Sequence, residues 1–230
     1  MSKWLTALLI SLCCFSNVQA SEDVKNLLQL EAHAYQLTSD ISILALQQGG
    51  DRYHQRLNQT IASGDATADK LSQRWPQVSS QWQQSVRFTN DQRQSAADNS
   101  DVNLTNGLEA VQQLLYQAIH TAKSELSVEE ISSENYATYE ALVLLEKMVA
   151  EYMFFNLNVF GGMAAVNTQM AENAASFRDA VSRMTAAEGI KQQVLRKWNF
   201  IEKTLLNYNN QSATFIVMKT TDKIREMLIS

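Results

Sequence analysis

Residues 27–46 read LLQLEAHAYQLTSDISILAL, and their spacing decides the fold. Leu27, Leu30, Ala34, Leu37, Ile41 and Leu44 recur at alternating intervals of three and four. That rhythm places every apolar side chain on one stripe of an α-helix, whereas a strand would need strict alternation. The stretch holds no proline or glycine and stops at Gly49-Gly50, residues suited to close a helix.

The same rhythm continues along the chain. Tyr53, Leu57, Ile61, Ala68 and Leu71 mark a second segment, and Val78, Trp82 and Val86 mark a third that opens near Pro76. Leu104, Leu108, Val111, Leu115, Ala118 and Ala122 form a fourth. A strongly apolar segment over about 134–160 carries Val143, Leu144, Met148, Tyr152, Phe155 and Val159. Glu140, Glu146, Lys147 and Glu151 interrupt it at helical intervals, which predicts a core helix and not a membrane span. Met163 to Met184, Ile190 to Tyr208, and a final segment with Ile216, Ile224 and Met227 complete the set. With one proline and seven glycines in 230 residues, few positions break helices. The expectation is an all-α chain of up-and-down helical bundles. Residues 91–107, DQRQSAADNSDVNLTNG, are polar and are expected as a loop or frayed helix end. Ser127 to Glu134 offers N-caps followed by acidic residues and is read as a joint.

The two sides of that joint echo one another. An apolar helix ends at Gly49-Gly50 in the first and at Gly161-Gly162 in the second, and Leu30-Glu31 is answered by Leu145-Glu146. Each side then has a tryptophan helix, around Trp82 and Trp198. An internal duplication is expected, giving two tandem four-helix modules over 21–130 and 131–230.

Residues 1–20 read as a secretory signal peptide. Lys3 supplies the positive start, Trp4 to Phe15 the apolar run, and Ser16 to Ala20 the small-residue approach to cleavage after Ala20. Cys13 follows the bulky Leu12, so the lipoprotein pattern is not met. Cleavage removes Cys13 and Cys14, the only cysteines, and leaves 18 basic against 24 acidic residues. A periplasmic protein is expected, with no integral membrane segment in the mature chain. A mildly acidic chain without basic runs argues against nucleic acid. Asn58-Gln-Thr, Asn103-Leu-Thr and Asn210-Gln-Ser match the glycosylation sequon, a pattern that recurs by chance.

Catalytic patterns are missing from the sequence: no Glu-x-x-His, no His-Glu-x-x-His, no Cys-x-x-Cys-His and no nucleophile elbow. His33, His54 and His120 fall in three separate helices. No enzyme, metal or cofactor is therefore expected. For a ligand site the candidates are Tyr152, Asn156 and Asn158, polar interruptions late in the most apolar helix, together with Trp198 as a stacking surface. The alternatives at these positions are capping or solvent-facing asparagines and a core tryptophan.

An exported all-α chain with paired glycine-terminated and tryptophan helices resembles the periplasmic sensor domains of the type IV pilus methyl-accepting transducer and nitrate-sensor family. The family's arginine-bearing stretch before the first turn is replaced here by Ala34-Tyr-Gln-Leu-Thr-Ser-Asp-Ile-Ser-Ile-Leu44. The resemblance implies a binding or sensory module that holds a small molecule between helices, or signals by helix contacts to a membrane receptor or another periplasmic protein. The alternative is a structural or interaction protein: an assembly factor, an adhesion accessory or a chaperone-like helical protein.

Overall fold

The computed structural model describes the backbone of residues 2–98, 102–132, 135–157, 166–207 and 213–229, and the side chains of these except 2–20, 102–103 and 166–168. Among the described residues there is no strand, and the fold is all-α. The helices are α1 (Ser2–Leu46), α2 (Asp51–Leu71), α3 (Pro76–Asp98), α4 (Val102–Ser124), α5 (Val128–Ile131), α6 (Tyr136–Leu157), α7 (Val166–Arg183), α8 (Glu188–Leu206) and α9 (Thr214–Ile229).

The heptad of α1 does what its spacing predicts: Leu27, Leu30, Ala34, Leu37, Ile41 and Leu44 are fully buried. Burial goes further than the stripe. From Gln36 to Ala45 every residue is buried, because α1 packs on α2, α3, α4, α5 and α6. Its buried serine hydroxyls are satisfied locally. Ser39 donates to the Gln36 carbonyl at 3.0 Å and Ser42 to the Thr38 carbonyl at 2.7 Å. The helix ends at Gln48, Gly49 and Gly50, whose φ values are 52°, 81° and 112°. The Gly49 N–H donates to the Leu44 carbonyl at 2.9 Å, a left-handed C-terminal cap.

The helix pairings run in parallel on the two sides of the joint. α1 packs on α2, α3 and α4, and α2 and α4 each pack on α3; likewise α6 packs on α7, α8 and α9, and α7 and α9 each pack on α8. The expected division at 130/131 nevertheless does not separate two cores. The most extensive packing of all joins α1 to α6, and one apolar cluster draws on both halves. Each half leaves an apolar flank on its first helix, and each flank is buried against the other.

Two local expectations change. Residues 91–98 and 102–107, expected as a loop or frayed helix end, are helical: α3 continues to Asp98 and α4 starts at Val102, with 99–101 outside the described residues. Ala96 is fully buried, and Ala97 lies against Gly49, so contact with the end of α1 outweighs the polar composition. In α9 the inner stripe is Thr214, Val217, Thr221, Ile224 and Leu228, which leaves the expected Ile216 exposed. The N-cap expected at Ser127 is present. Ser127 and Glu130 form a reciprocal capping box, and Arg74 ties Glu130 (2.8 Å) to Asp23 (3.2 Å) on α1.

The contact of α2 with α3 depends on Gly64. A methyl group there would lie 2.0 Å from the indole ring of Trp82. That ring cannot slide freely, since its Nε1 donates to Asp65 Oδ1 at 2.8 Å. Gly64→Ala is expected to destabilise the protein, because overpacking of about 1–3 kcal/mol exceeds the ~1 kcal/mol that alanine gains in a helix. Urea unfolding checks this; an unchanged or raised midpoint would show that the indole moves aside.

Candidate functional site

The central pair α1–α6 has two flanks, and they differ in chemistry. On the α9 flank, ion pairs bridge the helices. Arg56 of α2 donates to Asp40 of α1 at 2.5 Å and to both oxygens of Asp222 of α9 at 2.7 Å. Thr60 donates to the other Asp40 oxygen at 2.6 Å. Arg225 of α9 reaches Glu146 of α6 at 2.6 Å and Asp222 at 2.8 Å. Asp40 and Glu146 have no exposed surface. Burial works against the Arg225 charge, yet Glu146 beside it holds the guanidinium's pKa above its ordinary value. With two arginines against three carboxylates, the cluster is a structural clasp. His33 borders it, its pKa pushed down by burial, with its ring Nδ1 3.1 Å from Gln36 Oε1.

On the α4 flank the helices stand apart and leave a groove of about 820 Å³. Tyr35 and Thr38 of α1 form its floor, Leu108, Gln112, Tyr116 and His120 of α4 one wall, and Lys147, Ala150, Glu151 and Phe154 of α6 the other. Tyr35 and Tyr116 stack with ring centroids 4.6 Å apart and planes 24° from parallel. Burial raises the pKa of both phenols, and Tyr116 is hydrogen-bonded with the Thr38 hydroxyl.

Two side chains lining this groove, Gln112 and Glu151, carry unmet polar atoms. Gln112 is only 3% exposed, and neither its amide oxygen nor its amide nitrogen has a partner. Glu151 Oε2 is buried and equally without one. Burial pushes the Glu151 carboxyl's pKa up, with Lys147 pulling the other way from 4.0 Å. Leaving such groups unpaired costs roughly 1–3 kcal/mol each, a cost that a polar ligand relieves.

The α6 residues singled out from the sequence that the structure describes lie off the face that lines this groove. Tyr152 is fully buried in the core, and burial pushes its phenol up to about 12. Asn156 is 4% exposed and donates from Nδ2 to the Tyr152 carbonyl at 2.8 Å within its own helix. Neither lines the groove; Lys147, Ala150, Glu151 and Phe154 do. Trp198 is also core, packed against Phe177 at 4.7 Å between ring centroids in the α7–α8 contact. Asn158 lies outside the described residues, as do Gly161 and Gly162; Ala20 falls within α1, where only the backbone is described.

Gln112 was hidden by register. The inner stripe of α4 is Leu104, Leu108, Gln112, Leu115, Ile119 and Ala122, whereas apolar character alone selects Val111 and Ala118. Both stripes obey the three–four rhythm, so only the packing chooses between them. The available signal was the glutamine four residues after Leu108 and three before Leu115.

Among the described residues no group of three or more histidine, cysteine, aspartate or glutamate side chains is placed to hold a metal ion. Among them, too, no helix is long and apolar enough to cross a membrane. No protein-family model, curated protein or solved structure matches the chain.

Proposed function

We propose that the protein is an exported, non-catalytic helical module that binds a small molecule in the groove between α1, α4 and α6. One observation carries this reading: Gln112, almost wholly buried, meets the groove with its entire amide unpartnered. Most buried amides are hydrogen-bonded, so an open one that borders a groove is a contact point for a polar ligand. Aromatic and apolar walls with a few convergent polar groups are the usual make-up of a small-molecule site. The signal-like pattern of residues 1–20 supports export and, with it, a periplasmic setting. The parallel helix pairings and the paired tryptophan helices support an internal duplication into two four-helix modules. They also keep company with the sensor-domain resemblance, in which occupancy would be reported to a membrane receptor.

A thermal-shift screen against amino acids, organic acids, nitrate and polyamines tests the reading. A ligand at 100 times its Kd is expected to stabilise the native state by about 2.7 kcal/mol. Gln113→Trp, a substitution at an exposed groove residue, should abolish the effect without lowering the stability of the free protein. Stabilisation that survives Gln113→Trp would place binding elsewhere.

The interaction-protein reading has its own support in α8 and α9. Phe200 (64% exposed), Leu206, Phe215 and Ile216 present apolar side chains to solvent there. Crosslinking in the periplasm that captures a partner through Phe200, with silence across the ligand panel, would favour it.

A further inference from the structure

The groove's unmet atoms and its charge define the chemistry of its occupant, given the reading of the groove as the binding site. We propose that the ligand is a small organic ammonium: a protonated amine seated at Glu151, on an apolar or aromatic body that lies against Tyr35, Tyr116 and Phe154.

Three features converge on that class. First, two of the groove's three open polar atoms are acceptors, the Gln112 amide nitrogen being the open donor. Glu151 Oε2 is buried without a partner, and the Gln112 amide oxygen on the facing wall is likewise free. An ammonium brings several N–H donors and a positive charge, so it can serve a carboxylate and an amide oxygen together. Second, the competing internal cation is poorly placed. Lys147 sits one turn away on the same helix, and its Nζ is 4.0 Å from Glu151 Oε1, beyond hydrogen-bond reach. Third, the lining is electronegative. Glu109 and Glu151 outnumber Lys147, and the faces of the stacked tyrosines add a π surface that attracts cations.

The other ligand classes fit less well. An anion would meet two carboxylates and a single lysine. An uncharged molecule would bury Glu151 further and leave Lys147, 4.0 Å from Oε1, as its counterion, while burial already opposes that charge.

Three probes with one body separate these cases: 2-phenylethylamine, 2-phenylethanol and phenylacetate. Each is titrated into the full protein, with Tyr35 and Tyr116 ring resonances as the local readout. The amine should bind saturably, about tenfold or more tighter than the alcohol and the acid, and shift both tyrosines. Glu151→Gln should erase that preference while the weak alcohol binding persists. If the alcohol or acid binds as tightly as the amine, and Gln113→Trp blocks it, the ammonium assignment falls and the groove reading stands. If no probe moves either tyrosine, both fall. The wild-type comparison alone decides between these outcomes, so a poorly folding Glu151→Gln chain does not shelter the proposal.

Discussion

Arg225→Met is expected to destabilise the protein by about 3–5 kcal/mol, enough to unfold a domain of ordinary stability near physiological temperature. Glu146 is fully buried on α6, and its Oε1 accepts from Arg225 Nε at 2.6 Å. Its Oε2 has no partner even in the intact protein. Taking the guanidinium away strands a carboxylate in the core between α6 and α9. The cost is dominated by that uncompensated charge and not by the lost side-chain area. The double variant Arg225→Met with Glu146→Leu should recover most of the loss, since apolar replacements of whole buried pairs are often neutral or better. Urea unfolding of the two variants provides the measurement. A single-variant cost below about 1 kcal/mol would mean that water reaches Glu146.

Trp82→Ala should cost about 3–5 kcal/mol, in the range for deleting a buried aromatic side chain. The indole has no exposed surface, fills the space that Gly64 leaves open, and holds Asp65 through Nε1. Its partner contact makes a sharper test than the single value. In the intact protein Gly64→Ala collides with the ring, but in the Trp82→Ala background the collision is gone. There the alanine should stabilise the chain by up to ~1 kcal/mol through helix propensity and partial filling of the cavity. A sign reversal of this kind is a direct measure of coupling. Simple additivity would show that the two residues do not touch in solution.

The sequence was most informative where the determining physics is local. The stripe of α1, the stop at Gly49-Gly50 and the Ser127–Glu130 capping box each depend on residues within a turn or two. All three are present as read. It was less informative where two registers compete. Val111 and Gln112 are adjacent, and both fit a three–four stripe, but only Gln112 is buried. Ile216 and Val217 present the same choice, and Val217 is the buried one. Residues 91–98 read as loop or frayed helix end because their composition is polar, yet Ala96 is buried and Ala97 packs on the end of α1, and α3 stays helical.

The candidate site shows the same limit. Reading α6 singled out Tyr152 and Asn156 as polar interruptions of an apolar run, while the groove takes Lys147, Glu151 and Phe154 from the same helix. Which face of an all-round apolar helix meets a gap depends on its neighbours. Those neighbours, Tyr35 and Tyr116, lie far away in the chain.

Residues 27–46 and their counterparts determined by themselves that the chain is all-α, because the three–four apolar period and the scarcity of breakers act within each segment. Tertiary structure alone decided that α1 and α6 share one core, that Arg225 answers Glu146 across 79 positions, and that Gln112 and Glu151 border one groove. The physical reason is range. Helix formation is settled over a few residues, whereas the pairing of a buried charge and the opening of a gap depend on side chains that only the folded chain brings together.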